Sequence, residues 1–161
     1  MPFPEITRRS PNCDATTPHE QRGVVFHHSV ISFAETIALM TDPARQVSYH
    51  CLIASDGTRC TLVPDAHVAW HSGVSSFQGR AGCNAFLLGL SFAGDTYAAP
   101  LTDAQLASAL EWLAPRWARH GWTIEWMTDH RQVAPGRKDD LNPVEWARLR
   151  TALVARFGKP D

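Results

Sequence analysis

The sequence predicts an α/β domain in which a central mixed β-sheet is flanked by about three helices. Short runs rich in β-branched and aromatic residues alternate with longer segments whose apolar residues recur at helical spacing, the pattern of an α/β layer. Gly, Pro, Asp and Asn punctuate the boundaries between them. The length of 161 residues is that of one domain, since single cores are commonly built from about 100 to 200 residues. A chain of this size buries roughly 68 to 70% of its unfolded surface, so it needs neither disulfides nor a structural metal for stability. Any metal is therefore expected to serve chemistry.

Taken in order, residues 1–20 read as an N-terminal extension and 21–158 as the core. "GVVFHHS", Gly23 to Ser29, is a short apolar run ending in two histidines, the signature of a buried strand with polar groups at its carboxyl end. Ile31 to Met40 can form a helix that Asp42-Pro43 stops. "VSYHCLIASDGTRCTLVP" is the clearest hairpin, and a two-residue turn at Asp56-Gly57 would pair Ile53 with Cys60 and Cys51 with Leu62. "NAFLLGLSFAGD" offers another buried strand. In "LTDAQLASALEWLAPRWARHGW", Thr102 and Gln105 fit a capping box, Leu106, Leu110, Leu113 and Trp117 share a face, and Pro115 should kink or break the helix. "IEWMTDH" is a short strand candidate. The last helix starts at Asn142 with Pro143 at its first position, buries Trp146, Leu149 and Leu153, and ends at Gly158. No internal repeat or low-complexity linker interrupts this order.

Composition excludes several functions. The net charge is -1 without a long run of one sign, so there is no electrostatic footprint for nucleic acid or an anionic membrane. The N-terminus lacks the apolar core of a secretory signal, and no stretch of 18 apolar residues occurs. A soluble, cytoplasmic monomer is expected. Cys13, Cys51, Cys60 and Cys83 have no C-x-x-C spacing and read as buried free thiols.

Chemistry concentrates in a few places. A zinc hydrolase needs three neutral or anionic ligands and a position left for water. His27 ends one strand, His130 follows another, and Asp140 lies across the Pro135-Gly136 turn. The alternative is that His27 is a satisfied core histidine and that Asp139 and Asp140 only charge the first turn of the last helix. "GLSFA" comes close to the G-x-S-x-G elbow of serine hydrolases, but that elbow needs a following helix, and "GDTYAAP" is not helical. "AWHSGVSSFQGRAGCN" mixes aromatic and polar groups with three glycines, as a substrate-lining loop would. It equally fits an ordered loop whose Trp70 packs on the core and whose Arg80 is solvated. His50 and His67 have no assigned role, and Trp112, Trp117 and Trp146 at helical spacing read as core.

Together the motifs "VSYHCLIASDG", "AWHSGVSSFQGRAGCN", "LTDAQ" and "DHRQVAPGRKDD" resemble the zinc-dependent N-acetylmuramoyl-L-alanine amidases of the amidase_2 type. These share a fold with phage lysozyme amidases and peptidoglycan recognition proteins. The resemblance covers about Val24 to Pro143 and is nearest to the AmpD-like branch. It implies Zn²⁺ as cofactor, His27, His130 and Asp140 as its ligands, and Lys138 as the catalytic lysine. It also implies that Trp70, His71, Arg80 and Asn84 border the muropeptide groove, with Arg80 available for a stem-peptide carboxylate. His28, beside a ligand, is expected to touch substrate or to support the metal shell.

One departure stands out: AmpD-like chains carry a catalytic glutamate where this chain has Ser91. The phage branch lacks that glutamate as well and uses a tyrosine, which falls on Tyr49 here. A phenol can orient water or hydrogen-bond an oxyanion, although an ordinary pKa of about 10 makes it a poor base. The implied reaction is hydrolysis of the amide between N-acetylmuramic acid and L-alanine. Peptidoglycan or anhydromuropeptide is the implied partner, in cytoplasmic recycling or in phage lysis with release through a holin. A non-catalytic peptidoglycan-binding module is the rival from another class, and a zinc peptidase acting within the stem peptide is a third reading.

Overall fold

The computed structural model describes residues 1–158. Its strands are β1 (Glu5–Thr7), β2 (Cys13–Asp14), β3 (Gly23–His28), β4 (Cys51–Ile53), β5 (Arg59–Thr61), β6 (Val68–Ala69), β7 (Ser76–Phe77), β8 (Arg80–Ala81), β9 (Leu87–Phe92) and β10 (Met127–Asp129). Its helices are α1 (Phe33–Met40), α2 (Asp103–His120), the single turn α3 (His130–Val133) and α4 (Pro143–Phe157). Six strands form one mixed sheet in the order β1-β5-β4-β9-β3-β10, and β2-β6 and β7-β8 are small antiparallel pairs. The chain is thus one domain of the expected class.

The centre of the sheet is parallel: β9 and β10 flank β3, with Val24 opposite Leu88 and Met127, and His27 opposite Ser91. Strands covered on both faces read as nearly continuous apolar runs, and every residue of β3 and β9 is buried. Because side chains alternate across a strand, the two faces differ. Val24, Phe26, Leu88, Leu90 and Phe92 pack under Ala109, Trp112 and Leu113 of α2 and Trp146, Leu149 and Leu153 of α4. The other face carries His27 and Ser91, with Tyr49 and Leu52 packed beneath α1.

Local signals explain the helices. Ser32 caps α1, Thr102 and Gln105 form a reciprocal capping box on α2, and Asn142 caps α4 with Pro143 in its first turn. Trp112, Trp117 and Trp146 are structural, the first and last in the core and Trp117 stacked on Phe157 at 4.2 Å. Among the described residues no helix is long and apolar enough to cross a membrane.

Several expectations are corrected. Pro115 does not end α2, which continues to His120; the missing N–H forfeits one backbone bond while residues on both sides remain packed in the core. The hairpin register differs by one residue: Leu52 faces Cys60, Cys51 faces Thr61 and Ile53 faces Arg59. A type I′ turn needs positive φ at both central residues, but Gly57 has φ +90° and Asp56 is not among the positive-φ residues, so the loop widens to residues 54–58. All four cysteines are free, but Cys13 is only half-buried. Ile124–Trp126 is a 3-10 turn, so the strand there begins at Met127. Residues 1–20 supply β1, the sheet's edge strand, and β2. Arg59 clamps that edge by pairing with Glu5 of β1 and Glu111 of α2.

Candidate metal centre and groove

Two segments far apart in sequence meet at the carboxyl ends of the parallel strands. His27 sits near the end of β3, His130 directly follows β10, and Asp140 arrives on the loop after Pro135-Gly136. His27 Nδ1 lies 3.0 Å from His130 Nδ1, with Asp140 Oδ2 3.5 Å from the first and Oδ1 3.4 Å from the second. The three ligand atoms fall within 4.8 Å of one another, and all three residues are buried. The loop bringing Asp140 is tied down: Arg131 N donates to Asp140 O at 2.6 Å, and Leu141 N donates to Asp129 Oδ2 at 3.1 Å. Asp129 is itself fully buried, and its carboxyl is raised above the ordinary range by that burial.

The donor set fits a cation. His130 Nε2 faces the Ser72 carbonyl at 3.1 Å, a group that only accepts, so Nε2 carries the proton and Nδ1 presents a lone pair. That lone pair, the facing nitrogen of His27 and a carboxylate converge, and electron-rich groups at such distances are relieved by a positive charge between them. Two imidazole nitrogens and one carboxylate suit Zn²⁺ with a position left open. Burial pushes His27 down to about 4, against the pull of Asp140. Burial alone would raise Asp140, but hydrogen bonding to His130 and His27 outweighs it and holds the carboxyl well below its usual range.

His130 and Asp140 border a groove of about 400 Å³ that is also lined by His28, Tyr49, Trp70, Asn84, Arg137 and Lys138, with His27 buried behind them. Lys138 is exposed on the groove wall beside Asp139 and Asp140. The Tyr49 ring centroid is 5.2 Å from that of His27. Burial pushes its phenol up to about 12, with the Ser91 hydroxyl pulling the other way. Tyr49 is therefore a proton donor, not a base, at any ordinary pH. Ser91 Oγ is the polar neighbour of that phenol, yet no hydrogen bond of ordinary geometry joins it to any described residue. Ser91 lies inside β9, not at a strand-to-helix elbow, so the geometry of a serine nucleophile is missing.

The other residues expected at the site divide. Trp70 is half-buried on the groove wall. His28 accepts from Thr96 N at 3.1 Å through Nδ1, leaving its Nε2–H for the groove side. Asn84 turns inward: its Oδ1 accepts from His71 N and Ser72 N at 3.1 and 2.8 Å, so the amide shapes the loop. His71 is buried under His27, with its Nδ1 3.0 Å from His27 Nε2, and also lines the groove. Arg80 is not part of the groove lining; Glu20 holds its guanidinium through two contacts, and it stacks 4.4 Å over Phe86.

Arg137 is the arginine on the groove wall, donating to the Ser72 and Val74 carbonyls at 2.6 and 2.8 Å. Its place beside Lys138 in the loop was the available sequence signal. His50 is structural: Nδ1 accepts from Gly89 N, Nε2 donates to the His67 carbonyl, and burial pushes it down to about 3. Val30, exposed at the mouth of the groove, has φ +71°, a strained conformation for a β-branched residue that no local pattern announces.

The family model described as N-acetylmuramoyl-L-alanine amidase (Amidase_2) matches residues 17–143. The chain is 44% identical over 111 residues to the 1,6-anhydro-N-acetylmuramyl-L-alanine amidase AmpD of Citrobacter freundii, covering 68% of this chain and 58% of the relative. It is 30% identical over 142 residues to the N-acetylmuramoyl-L-alanine amidase AmiD of Escherichia coli K12, covering 78% of this chain and 51% of that one. The matches therefore span little more than half the length of these curated relatives. The fold superposes on a selenomethionine AmpD derivative with a TM-score of 0.78, at 32% identity, over 92% of this chain and 93% of the other. It also superposes on E. coli AmiD in complex with anhydro-N-acetylmuramic acid-L-Ala-D-γ-Glu-L-Lys, with a TM-score of 0.74 at 27% identity, over 86% of this chain and 59% of that one.

Proposed function

The chain belongs to the N-acetylmuramoyl-L-alanine amidase family, and we propose that it hydrolyses the amide bond between the lactyl group of N-acetylmuramic acid and L-alanine. The single observation that carries this reading is the convergence of His27, His130 and Asp140 at the wall of a groove that also presents Lys138 and Tyr49. These three residues would hold Zn²⁺, which supplies Lewis-acid polarisation and acidifies water enough to attack an amide near neutral pH.

The chain's own groups supply the rest. Lys138 places a positive charge on the groove wall where negative charge develops on the carbonyl oxygen, a preorganised electrostatic contribution. Tyr49, held protonated by burial, donates a hydrogen bond to the attacking water or to that oxygen. His28 Nε2–H and Trp70 contact the substrate, and Arg137 is placed for a stem-peptide carboxylate. Water adds to the lactyl carbonyl carbon and the carbon–nitrogen bond breaks. The products are a lactyl carboxylate and a peptide with a free alanine amino group. Relatives named for 1,6-anhydro substrates, and the AmiD complex with an anhydromuropeptide, make that ligand class the first to test.

A second reading, a binding module without turnover, is favoured by one observation: Ser91, where AmpD-like enzymes have a glutamate, is a buried hydroxyl without an acid–base function. Incubating the zinc-loaded protein with anhydromuropeptide and with intact sacculi, with and without a chelator, separates the two. Chelator-sensitive release of a peptide with N-terminal alanine, identified by mass spectrometry, is the expected result. Tight muropeptide binding without cleavage would replace it with the binding module.

A further inference from the structure

We propose that His71 is a positioning residue that fixes His27 in the tautomer whose Nδ1 can bind the metal. The inference rests on the metal reading above and adds to it the device that prepares one ligand. The chain of hydrogen bonds begins at a group with only one possible role. The Leu87 carbonyl lies 3.0 Å from His71 Nε2, and a carbonyl oxygen only accepts, so that nitrogen carries the proton. In a neutral ring the other nitrogen, Nδ1, is then an acceptor. It faces His27 Nε2 at 3.0 Å, so His27 must donate from Nε2 and keep its Nδ1 lone pair free, aimed at His130 and Asp140. Ser72 Oγ, 3.0 Å from the same His71 nitrogen, can donate to it as well.

The relay is held rigidly. Asn84 Oδ1 clamps the backbone N–H groups of His71 and Ser72. Beneath the ring, Gly89 leaves the space it needs, since a Cβ at that position would meet His71 Cγ at 2.5 Å. Ser72 extends the same control to the second histidine, because its carbonyl accepts from His130 Nε2. The dipeptide His71-Ser72 thus dictates the protonation pattern of both metal-facing rings. Partners that orient a ligand histidine in this way are worth about 10- to 100-fold in metal affinity when removed.

The test measures zinc affinity by competition with a chromogenic chelator, without substrate, for the wild type, His71→Leu and His71→Asn. Asn keeps an acceptor near the place of Nδ1, whereas Leu keeps volume only. Affinity should fall about 10- to 100-fold in His71→Leu and by only a few-fold in His71→Asn. Zinc binding by His71→Leu at the wild-type level, or equal losses in both variants, overturns the proposal. A wild-type protein that takes up no zinc overturns the metal reading itself. Nitrogen-15 NMR of the imidazoles in the metal-free wild type provides a second readout that needs no variant: His27 should carry its proton on Nε2, and a proton on Nδ1 overturns the role of His71.

Discussion

The two faces of β3 and β9 are built from the same strands by alternate residues, yet they obey different rules. On one face Val24, Phe26, Leu88, Leu90 and Phe92 meet two helices, and contact is nondirectional. On the other, His27, His71 and His50 are buried too, but every ring nitrogen except the metal-facing Nδ1 of His27 has a specified hydrogen-bond partner. An apolar face tolerates approximate shape because the free energy of burial follows area. A buried polar face does not, since an unpartnered donor or acceptor costs about 1–3 kcal/mol. Stability is concentrated on the first face and chemistry on the second.

The largest separation of the two faces is expected from His27→Ala. Loss of a ligand should lower kcat/KM by at least about 10³-fold and reduce zinc content measured by elemental analysis. A variant that keeps both zinc and turnover removes His27 from the metal centre. Leu90→Ala should do the reverse, destabilising the fold by about 2–5 kcal/mol in urea titrations while zinc affinity per folded molecule stays within a few-fold. A matching loss of zinc affinity would mean that the faces are mechanically coupled.

Lys138→Ala tests the groove wall alone. It should lower kcat by about 10²- to 10³-fold with little change in zinc binding or urea midpoint. Full turnover in this variant would remove the oxyanion role.

The smallest effect per step concerns acid. His50 is held down to about 3, by burial first and then by His19, with Asp65 and Arg116 exerting opposite influences. A histidine whose folded pKa is depressed binds fewer protons than in the unfolded chain, so its contribution is complete above about 6.5 and is lost as the pH falls toward 3. His27, held down to about 4, acts in the same direction in the metal-free protein. The unfolding free energy of that protein from urea titrations should therefore fall from pH 6.5 downward, by up to roughly 1.4 kcal/mol per pH unit for each such histidine. His50→Gln should flatten the slope; an unchanged slope would assign the acid sensitivity to other groups.

Much of the helix-packed face was legible in the sequence. The apolar runs of β3 and β9, the capping box at Thr102 and Gln105, and Asn142-Pro143 at the start of α4 are signals between near neighbours. Such signals survive in a linear reading because backbone propensities and caps act over one or two turns. The hairpin register was less legible, since Asp56-Gly57 permits several loops and pairing with β1 and β9 selects among them. Arg80, which lies outside the groove, and the contact of the groove-lining His71 with His27 show the limit for the site. Both residue types suit a groove, but a glutamate 60 positions away captures the arginine, and the sheet draws the histidine beneath His27.

By itself, the sequence determined which residues form the central strands and main helices, and the types of ligand carried at the strand ends. Only the tertiary structure decided where their lone pairs point. His27 meets His130 across a separation of 103 residues and His71 across 44. A hydrogen bond is set by the direction and distance of its partner, so a relay between segments this far apart exists only once the sheet has brought them together.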